Sequence, residues 1–334
     1  MLLQKLSLQP KQPSTSYSKK QIDKAGKTIV NRDVSQEEID KAFAILNNWR
    51  AAHVSPLNTI ASSLTSNNSN AIVVQRLKRL DSIIEKLRRF PQMSFSKMQD
   101  LGGCRVILDS IDQVYEVISQ HKSPNKSFTL KKENDYIQNP KTSGYRSYHM
   151  VYQSNDSLLV EIQFRTYLQH LWATALETMS IYMGTNLKSG IGKEDILRFF
   201  VLVSSLFALK EGTPVCPDTS NNPKELIAEI RELDNQFHIL EKLSTMSAKF
   251  NPSNESKGYY LMELDTLTNK LEINYFPMNQ AQEAIQLYKH MESLQIPIFN
   301  TVLVLASSFN TLKRAYPNYF LDTSQFIAIL KELL

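Results

Sequence analysis

Four short segments of this sequence hold residues that can handle phosphate, and their order suits moving it. RLKRLDSIIEKLRR carries Arg76, Lys78, Lys86 and Arg89. Lys86 and Arg89, three apart, share a helix face able to grip a triphosphate. MQDLGGCRVIL puts Asp100 where a strand begins, with two glycines that permit close approach of a ligand and Arg105 on the strand. Asp100 is a natural Mg2+ ligand, because that ion takes one or two carboxylates beside phosphate oxygens. DYIQNPKTSGYRSYH joins a turn and a glycine to Tyr145, Arg146, Tyr148 and His149, a set that can stack on a base and bind phosphate or ribose. In VEIQFR, Glu161 stands with Gln163 and Arg165 on one strand face, where a carboxylate can bind metal or take the proton of an attacking hydroxyl. Singly, each segment has an ordinary reading as a solvated face, a cap, a loop or an exposed sheet row. Their combination is what points to phosphoryl chemistry.

Residues that meet from such distant segments need a sheet with helices around it. GGCRVILD and LLVEIQFR are strand-like, and in the second Val160, Ile162 and Phe164 alternate with the polar row. SQEEIDKAFAILNNWRAAH opens with a capping-box pair, Ser35 and Glu38, and reads as a helix from about Ser35 to His53. Helical patterning continues from Leu57 to Phe90, interrupted by TSNNSN. From Tyr167 to Met183 apolar residues recur at helical spacing, which predicts a helix covering the sheet. Residues 193–211 and 223–249 also read as helices. Beyond the loop EGTPVCPDTSNNP the pattern changes: GYYLMELDTLTNKLEINYF predicts a β-hairpin turning near Thr268 and Asn269. A helix (Asn279–Leu294), a strand (Asn300–Ala306) and a terminal helix follow. The expected fold is α+β, in three parts: a flexible basic arm (1–32), a catalytic domain (33–250) and a smaller C-terminal α/β module (251–334).

Composition narrows the class. Hydrophobic residues at 42% and only nine glycines give a globular protein with a real core. Two cysteines without CxxC spacing support neither a disulfide framework nor a zinc site, which fits the cytoplasm. No apolar run approaches the roughly 20 residues that cross a bilayer, and no membrane contact is expected. Basic charge gathers in the first half: residues 1–32 hold seven Lys and Arg against one acid, whereas residues 250–334 hold six against eight. A basic surface attracts polyphosphates or nucleic acid.

The four motifs, RLKRLDSIIEKL, DLGGCRV, DYIQNPKTSGYRSYH and VEIQFRT, resemble those of the RelA/SpoT synthetase family over roughly residues 70–185. That resemblance implies a nucleotidyltransferase-like mixed sheet flanked by helices, and transfer of the β,γ-pyrophosphate of ATP onto a ribose 3′-hydroxyl. It implies that Asp100 and Glu161 serve Mg2+ and acceptor activation, and that Arg76, Lys78, Lys86, Arg89 and Arg105 hold ATP. Tyr145 would stack on the acceptor base, with Arg146, His149, Gln163 and Arg165 around it.

The acceptor is open at this stage. Asn134 stands where nucleotide-making synthetases usually have Lys, GYRSYH replaces GYRSLH, and Glu177 is followed by Thr178 where EH is usual. These departures resemble the toxic small synthetases that modify the 3′ CCA end of tRNA, for which Lys19, Lys20, Lys24 and Lys27 would hold the acceptor stem. Synthesis of (p)ppGpp or (p)ppApp is the enzymatic alternative, and an inactive RNA-binding protein the alternative outside enzymology. Tyr316-Pro-Asn-Tyr319 resembles the YxxY motif of CapRel-type fused toxin-antitoxin proteins, in which the tyrosines fold over the ATP site until a phage protein, such as the major capsid protein, binds the C-terminal module. Tyr259, Tyr260, Leu261, Ile273, Tyr275 and Phe276 of the hairpin are the expected contact surface for that trigger, and the chain is expected to be a monomer.

Overall fold

The structure is a computed structural model that describes residues 16–31, 33–68, 71–122, 127–248, 256–293 and 298–334. It begins with α1 (Lys19–Thr28), α2 (Gln36–Ala52) and α3 (Val54–Asn67). Capping boxes open the first two: Ser18 with Gln21, and Ser35 with Glu38 as expected. The arm expected over residues 1–32 is therefore a docked helix between 19 and 28. Ile22, Ala25 and Gly26 are its buried face, and Asp23 accepts from the Ser96 amide at 2.8 Å. Gly26 lets it approach so closely that a Cβ there would stand 2.6 Å from Phe95. The remainder of the arm, residues 1–15 and 32, lies outside the described residues.

A strand that the helical reading of Leu57–Phe90 missed comes next, β1 (Ile72–Leu77), and only then α4 (Leu80–Arg89). The run is short and β-branched, and its pairing on both sides decides its state. The chain continues through β2 (Gly102–Leu108), α5 (Ile111–His121), β3 (Phe128–Asp135), β4 (Tyr148–Ser154) and β5 (Leu159–Thr166). On β5 the predicted alternation holds: Val160, Ile162 and Phe164 are all at most 1% exposed. Thr166 ends the strand and caps α6 (Tyr167–Met183) through a box with Gln169. Helices α7 (Glu194–Lys210), α8 (Pro223–Phe237) and α9 (Ile239–Thr245) complete the first 248 residues.

The C-terminal elements are β6 (Gly258–Asp265), β7 (Lys270–Pro277), α10 (Ala281–Ser293), β8 (Phe299–Ala306), α11 (Phe309–Ala315), α12 (Pro317–Phe320) and α13 (Ser324–Leu333). The hairpin turns where the sequence said, with Asn269 at φ 56°. This segment, expected as a separate module, joins the same sheet. Eight strands run in the order β3-β4-β5-β2-β1-β8-β6-β7, and β2 and β5 are the parallel pair in an otherwise antiparallel ladder. The α+β class and the mixed sheet flanked by helices agree with the sequence reading. Phe326 and Leu330 of α13 enter the core formed by α6 and α7. The hairpin residues expected to meet a trigger are largely core: Tyr260 and Leu261 have no exposed surface and Tyr259 has 7%, while Ile273, Tyr275 and Phe276 are half-buried. Alternation exposes one side of a hairpin only if nothing packs there, and α10 covers one side while α11 and α12 cover the other. Among the described residues, no helix is long and apolar enough to cross a membrane.

Candidate active site

Strand order brings the predicted chemistry together. Arg76 on β1 lies opposite Gly103 on β2, which lies opposite Glu161 on β5; Arg105 lies opposite Gln163, and Gln163 opposite His149 on β4. This face floors a cavity of about 290 Å³, lined among others by Arg76, Lys78, Asp100, Arg105, Tyr145, His149, Glu161 and Gln163.

Asp100 sits between two cations, its Oδ2 2.9 Å from Lys78 Nζ and its Oδ1 2.9 Å from Lys86 Nζ. Burial opposes its ionisation, but the two lysines outweigh burial and hold the carboxyl at about 2. On the opposite wall five side chains close a hydrogen-bonded ring. Glu161 Oε1 meets His149 Nδ1 at 3.1 Å, and His149 Nε2 meets the Tyr145 hydroxyl at 2.8 Å. An Arg165 amino group donates to that hydroxyl at 3.2 Å and to Gln163 Oε1 at 2.8 Å, and Gln163 Nε2 returns to Glu161 Oε2 at 2.8 Å. Burial alone would push the Tyr145 phenol up, yet Arg165 and His149 bring it down to about 7. Burial also works against the Glu161 carboxylate, but its His149 hydrogen bond holds it below the usual range. Both carboxylates are ionised at neutral pH and face one cavity. They are hard oxygen donors with lone pairs to spare, and this donor set fits Mg2+, which completes its shell with water and phosphate oxygens. Cys104 also lines the cavity, but burial pushes its thiol up to about 12, so it is no nucleophile.

Arg76 and Arg105 meet the C-terminal segment. The Arg105 guanidinium lies 5.6 Å from the Tyr316 ring centroid and donates to the Ala315 carbonyl at 3.2 Å; His170 Nε2 donates to the Arg314 carbonyl at 3.0 Å. Repulsion from Arg165 adds to burial and draws Arg105 down to about 10. Tyr316 lines the cavity, and Tyr316 and Tyr319 are each 2% exposed with ring centroids 6.2 Å apart. Burial pushes both phenols up, so they meet the arginines as neutral rings.

Three expectations need correction. Arg76 is on a strand, and Arg89 is exposed, stacked on Phe90 at 5.4 Å and outside the cavity lining. Ile83, Ile84 and Leu87 fix the buried stripe of α4, which leaves Lys86 at the rim facing Asp100 and turns Arg89 to solvent. Arg146 is 3% exposed and points away from the cavity, donating to Ser204 Oγ at 3.0 Å and the Ile137 carbonyl at 3.2 Å, with Cys216 Sγ at 3.5 Å. It clamps the loop to α7. Arg146→Met is expected to lower stability by about 2–3 kcal/mol by orphaning those acceptors, with ATP affinity unchanged; a urea titration and an ATP titration check both. Lys19, Lys20, Lys24 and Lys27 are exposed on the outer face of α1 and line no part of the cavity.

The sequence reading missed Lys141, whose Nζ lies 4.2 Å from the Tyr136 ring centroid and 5.2 Å from that of Tyr145, and Lys188, which pairs with Glu177 at 2.9 Å. Both line the cavity. A lysine between two tyrosines of one loop was the available signal for the first; Lys188 had none.

The profile of the region found in RelA / SpoT proteins matches residues 75–186, from β1 through the end of α6. GTP pyrophosphokinase YjbM of Bacillus subtilis (strain 168) is 34% identical over 124 residues, 34% of this chain and 58% of that protein. GTP pyrophosphokinase YwaC of the same strain is 32% identical over 111 residues, 30% of this chain and 52% of that protein. The chain thus spans little more than half the length of these relatives. The crystal structure of small alarmone synthetase 1 from Bacillus subtilis bound to its product pppGpp has 26% identity and a TM-score of 0.41, covering 53% of this chain and 94% of that one. Every residue that lines the cavity, except Lys188 and Tyr316, lies within the matched residues 75–186.

Proposed function

We propose that the chain is a pyrophosphotransferase that moves the β,γ-pyrophosphate of ATP onto a ribose 3′-hydroxyl. The observation that carries this reading is the pair of ionised carboxylates, Asp100 and Glu161, in one cavity with Arg76, Lys78 and Arg105. Asp100 and Glu161 would hold Mg2+, which when bound neutralises phosphate charge. Arg76, Lys78 and Arg105 bind and orient the triphosphate. The acceptor oxygen attacks the β-phosphorus, the bond to the bridging oxygen of the α-phosphate breaks, and AMP leaves with that oxygen. Glu161, oriented by His149 and Gln163, takes the hydroxyl proton. Tyr145 and Tyr136, with Lys141 against both rings, offer a stacking platform for the acceptor base.

For the acceptor we favour the 3′ end of tRNA, supported by the exposed lysine face of α1 and by Asn134 before DYI. A free guanine nucleotide is the second reading, favoured by the names of the two relatives. Incubation with γ-labelled ATP, total tRNA and separately GDP, GTP and AMP decides between them by where the label goes. Replacing Lys19, Lys20, Lys24 and Lys27 by Glu is expected to abolish labelling of tRNA and spare ATP binding; undiminished tRNA labelling would exclude the lysines as the tRNA contact.

In the same reading Tyr316 and Tyr319 are an inhibitory element, supported by the position of Tyr316 in the cavity wall against Arg105. The cavity of about 290 Å³ is small for two nucleotides, since pockets that hold a single drug-sized ligand run to roughly 300–1,000 Å³. Release by a phage protein, in a fused toxin-antitoxin of the CapRel kind, rests on the YxxY resemblance. Met278 and Leu287 are exposed apolar side chains of the segment that such a trigger could meet.

A further inference from the structure

Glu161 is held at both oxygens, and both holds lead back to one side chain. Its Oε2 accepts from Gln163 Nε2, and its Oε1 faces His149 Nδ1. From Gln163 the path reaches an Arg165 amino group in one further bond, and from His149 it reaches the same group in two, by way of the Tyr145 hydroxyl. A guanidinium only donates and an ionised carboxylate only accepts, so the bonds between these ends have their direction forced. Along β5, where Glu161, Gln163 and Arg165 share one face, the Gln163 amide turns its oxygen to Arg165 and its nitrogen to Glu161. In the other arm Arg165 donates to the Tyr145 oxygen, one proton lies between that oxygen and His149 Nε2, and His149 presents Nδ1–H to Glu161. Each carboxylate oxygen keeps a lone pair for other partners.

The arm through Tyr145 has a fixed root. Gly144, at φ 84°, passes so close to α6 that a Cβ there would stand 2.8 Å from Trp172, and its carbonyl accepts from Ser204 Oγ at 2.6 Å. Arg146, on the other side, is clamped to α7 through the same Ser204. With both neighbours pinned, Tyr145 keeps only side-chain rotation, and its hydroxyl uses that up by bonding to His149 and Arg165 together. His149 is 9% exposed and Arg165 2%, so water is a poor replacement for the hydroxyl at either one. Stacking on a base needs the ring of Tyr145 alone, which leaves the hydroxyl free for a second task.

We propose that the Tyr145 hydroxyl is a positioning group for Glu161, acting through His149, while Gln163 supplies the matching hold on the other oxygen. The residue that offers its ring to the acceptor base thereby also sets the carboxylate that receives the acceptor's proton. This rests on the reading of Glu161 as the general base. A base works only within hydrogen-bond reach of the proton it takes, and a carboxylate on a strand face can still rotate about its own side-chain bonds. Two arms that meet in one buried guanidinium stop that rotation, and removing the hydroxyl opens one of them.

Tyr145→Phe keeps the ring and removes the hydroxyl. Transfer from γ-labelled ATP is measured with total tRNA and separately with GDP, beside a thermal melt. The expected result is a kcat lower by about 10–100-fold, the usual cost of losing a group that orients such a side chain, with the acceptor KM changed less than about twofold. His149→Asn keeps an amide donor toward Glu161 and gives up the nitrogen that meets Tyr145, and it is expected to cost a similar factor. The two losses should not multiply: once His149→Asn is present, Tyr145→Phe is expected to cost less than about threefold. Full kcat in Tyr145→Phe, a loss that appears in the acceptor KM instead, or the same factor in both backgrounds overturns the proposal. If Tyr145→Phe does not fold, His149→Asn decides alone, since unchanged kcat there leaves the hydroxyl nothing to act through. Undiminished transfer by Glu161→Gln, or a native chain that labels neither acceptor, defeats the general-base or transferase reading beneath it, and is told apart because it appears without any change at Tyr145.

Discussion

Glu161→Gln is expected to lower pyrophosphate transfer by about 10²–10⁴-fold, the usual contribution of a positioned general base, while the protein melts within a few degrees of the native chain. The substitution removes the charge and keeps the shape. The ring tolerates it, because His149 can exchange tautomers and accept from an amide where it now faces a carboxylate. Gln163 keeps an oxygen to donate to once the amide is turned. What is lost is the proposed base, together with one of the two carboxylates that line the cavity. Steady-state transfer of label from γ-labelled ATP, beside a thermal melt and an ATP titration, separates chemistry from binding and folding. A folded Glu161→Gln protein with full activity would remove Glu161 from the mechanism. Asp100→Asn is the less clean experiment, since it leaves Lys78 and Lys86 facing each other without the charge that holds them.

The second large effect has the opposite sign. Tyr316→Ala with Tyr319→Ala is expected to tighten ATP binding at least about tenfold, because affinity for a partly closed site is reduced by the fraction that is open. Loss of two buried rings also destabilises the chain, by about 3–5 kcal/mol for each large aromatic truncated in a core. Lower stability with tighter binding is the signature of an occluding element; a residue that merely packs a helix would give the first without the second. Calorimetric titration with ATP and Mg2+ beside a urea unfolding curve reads both quantities on one preparation.

The sequence disclosed some elements far better than others, for physical reasons. β5 was legible because one of its faces is fully buried and the other carries the polar row, so period 2 stands out. α6 was legible because one wide apolar face packs on the core. β1 was not, since six residues flanked by helices carry too little pattern and its state is set by partners from β2 and β8. β3 is an edge strand rich in charge, and β4 is buried almost throughout, so neither alternates. In the site, types and spacing found the carboxylates and most of the cations. They failed where direction decides: Arg146 belongs to the aromatic loop but turns into the core, and Arg89 follows Lys86 by three residues but leaves the cavity. The buried Arg50–Glu292 pair joins positions that no local pattern connects.

The completion of β1 by β8 has a consequence for the chain while it is being made. A ribosome adds residues 75–186 well before β8, the strand that pairs with the free side of β1. At about 5–20 residues per second, the stretch from 186 to 306 takes roughly 6–24 s to synthesise. Within that interval the partner of β1 has yet to be made, and Glu292, which pairs with Arg50 and accepts the Leu80 amide, comes only at its end. The residues that complete the edge of β1 are thus added only ten positions before Tyr316, so the two are made almost together.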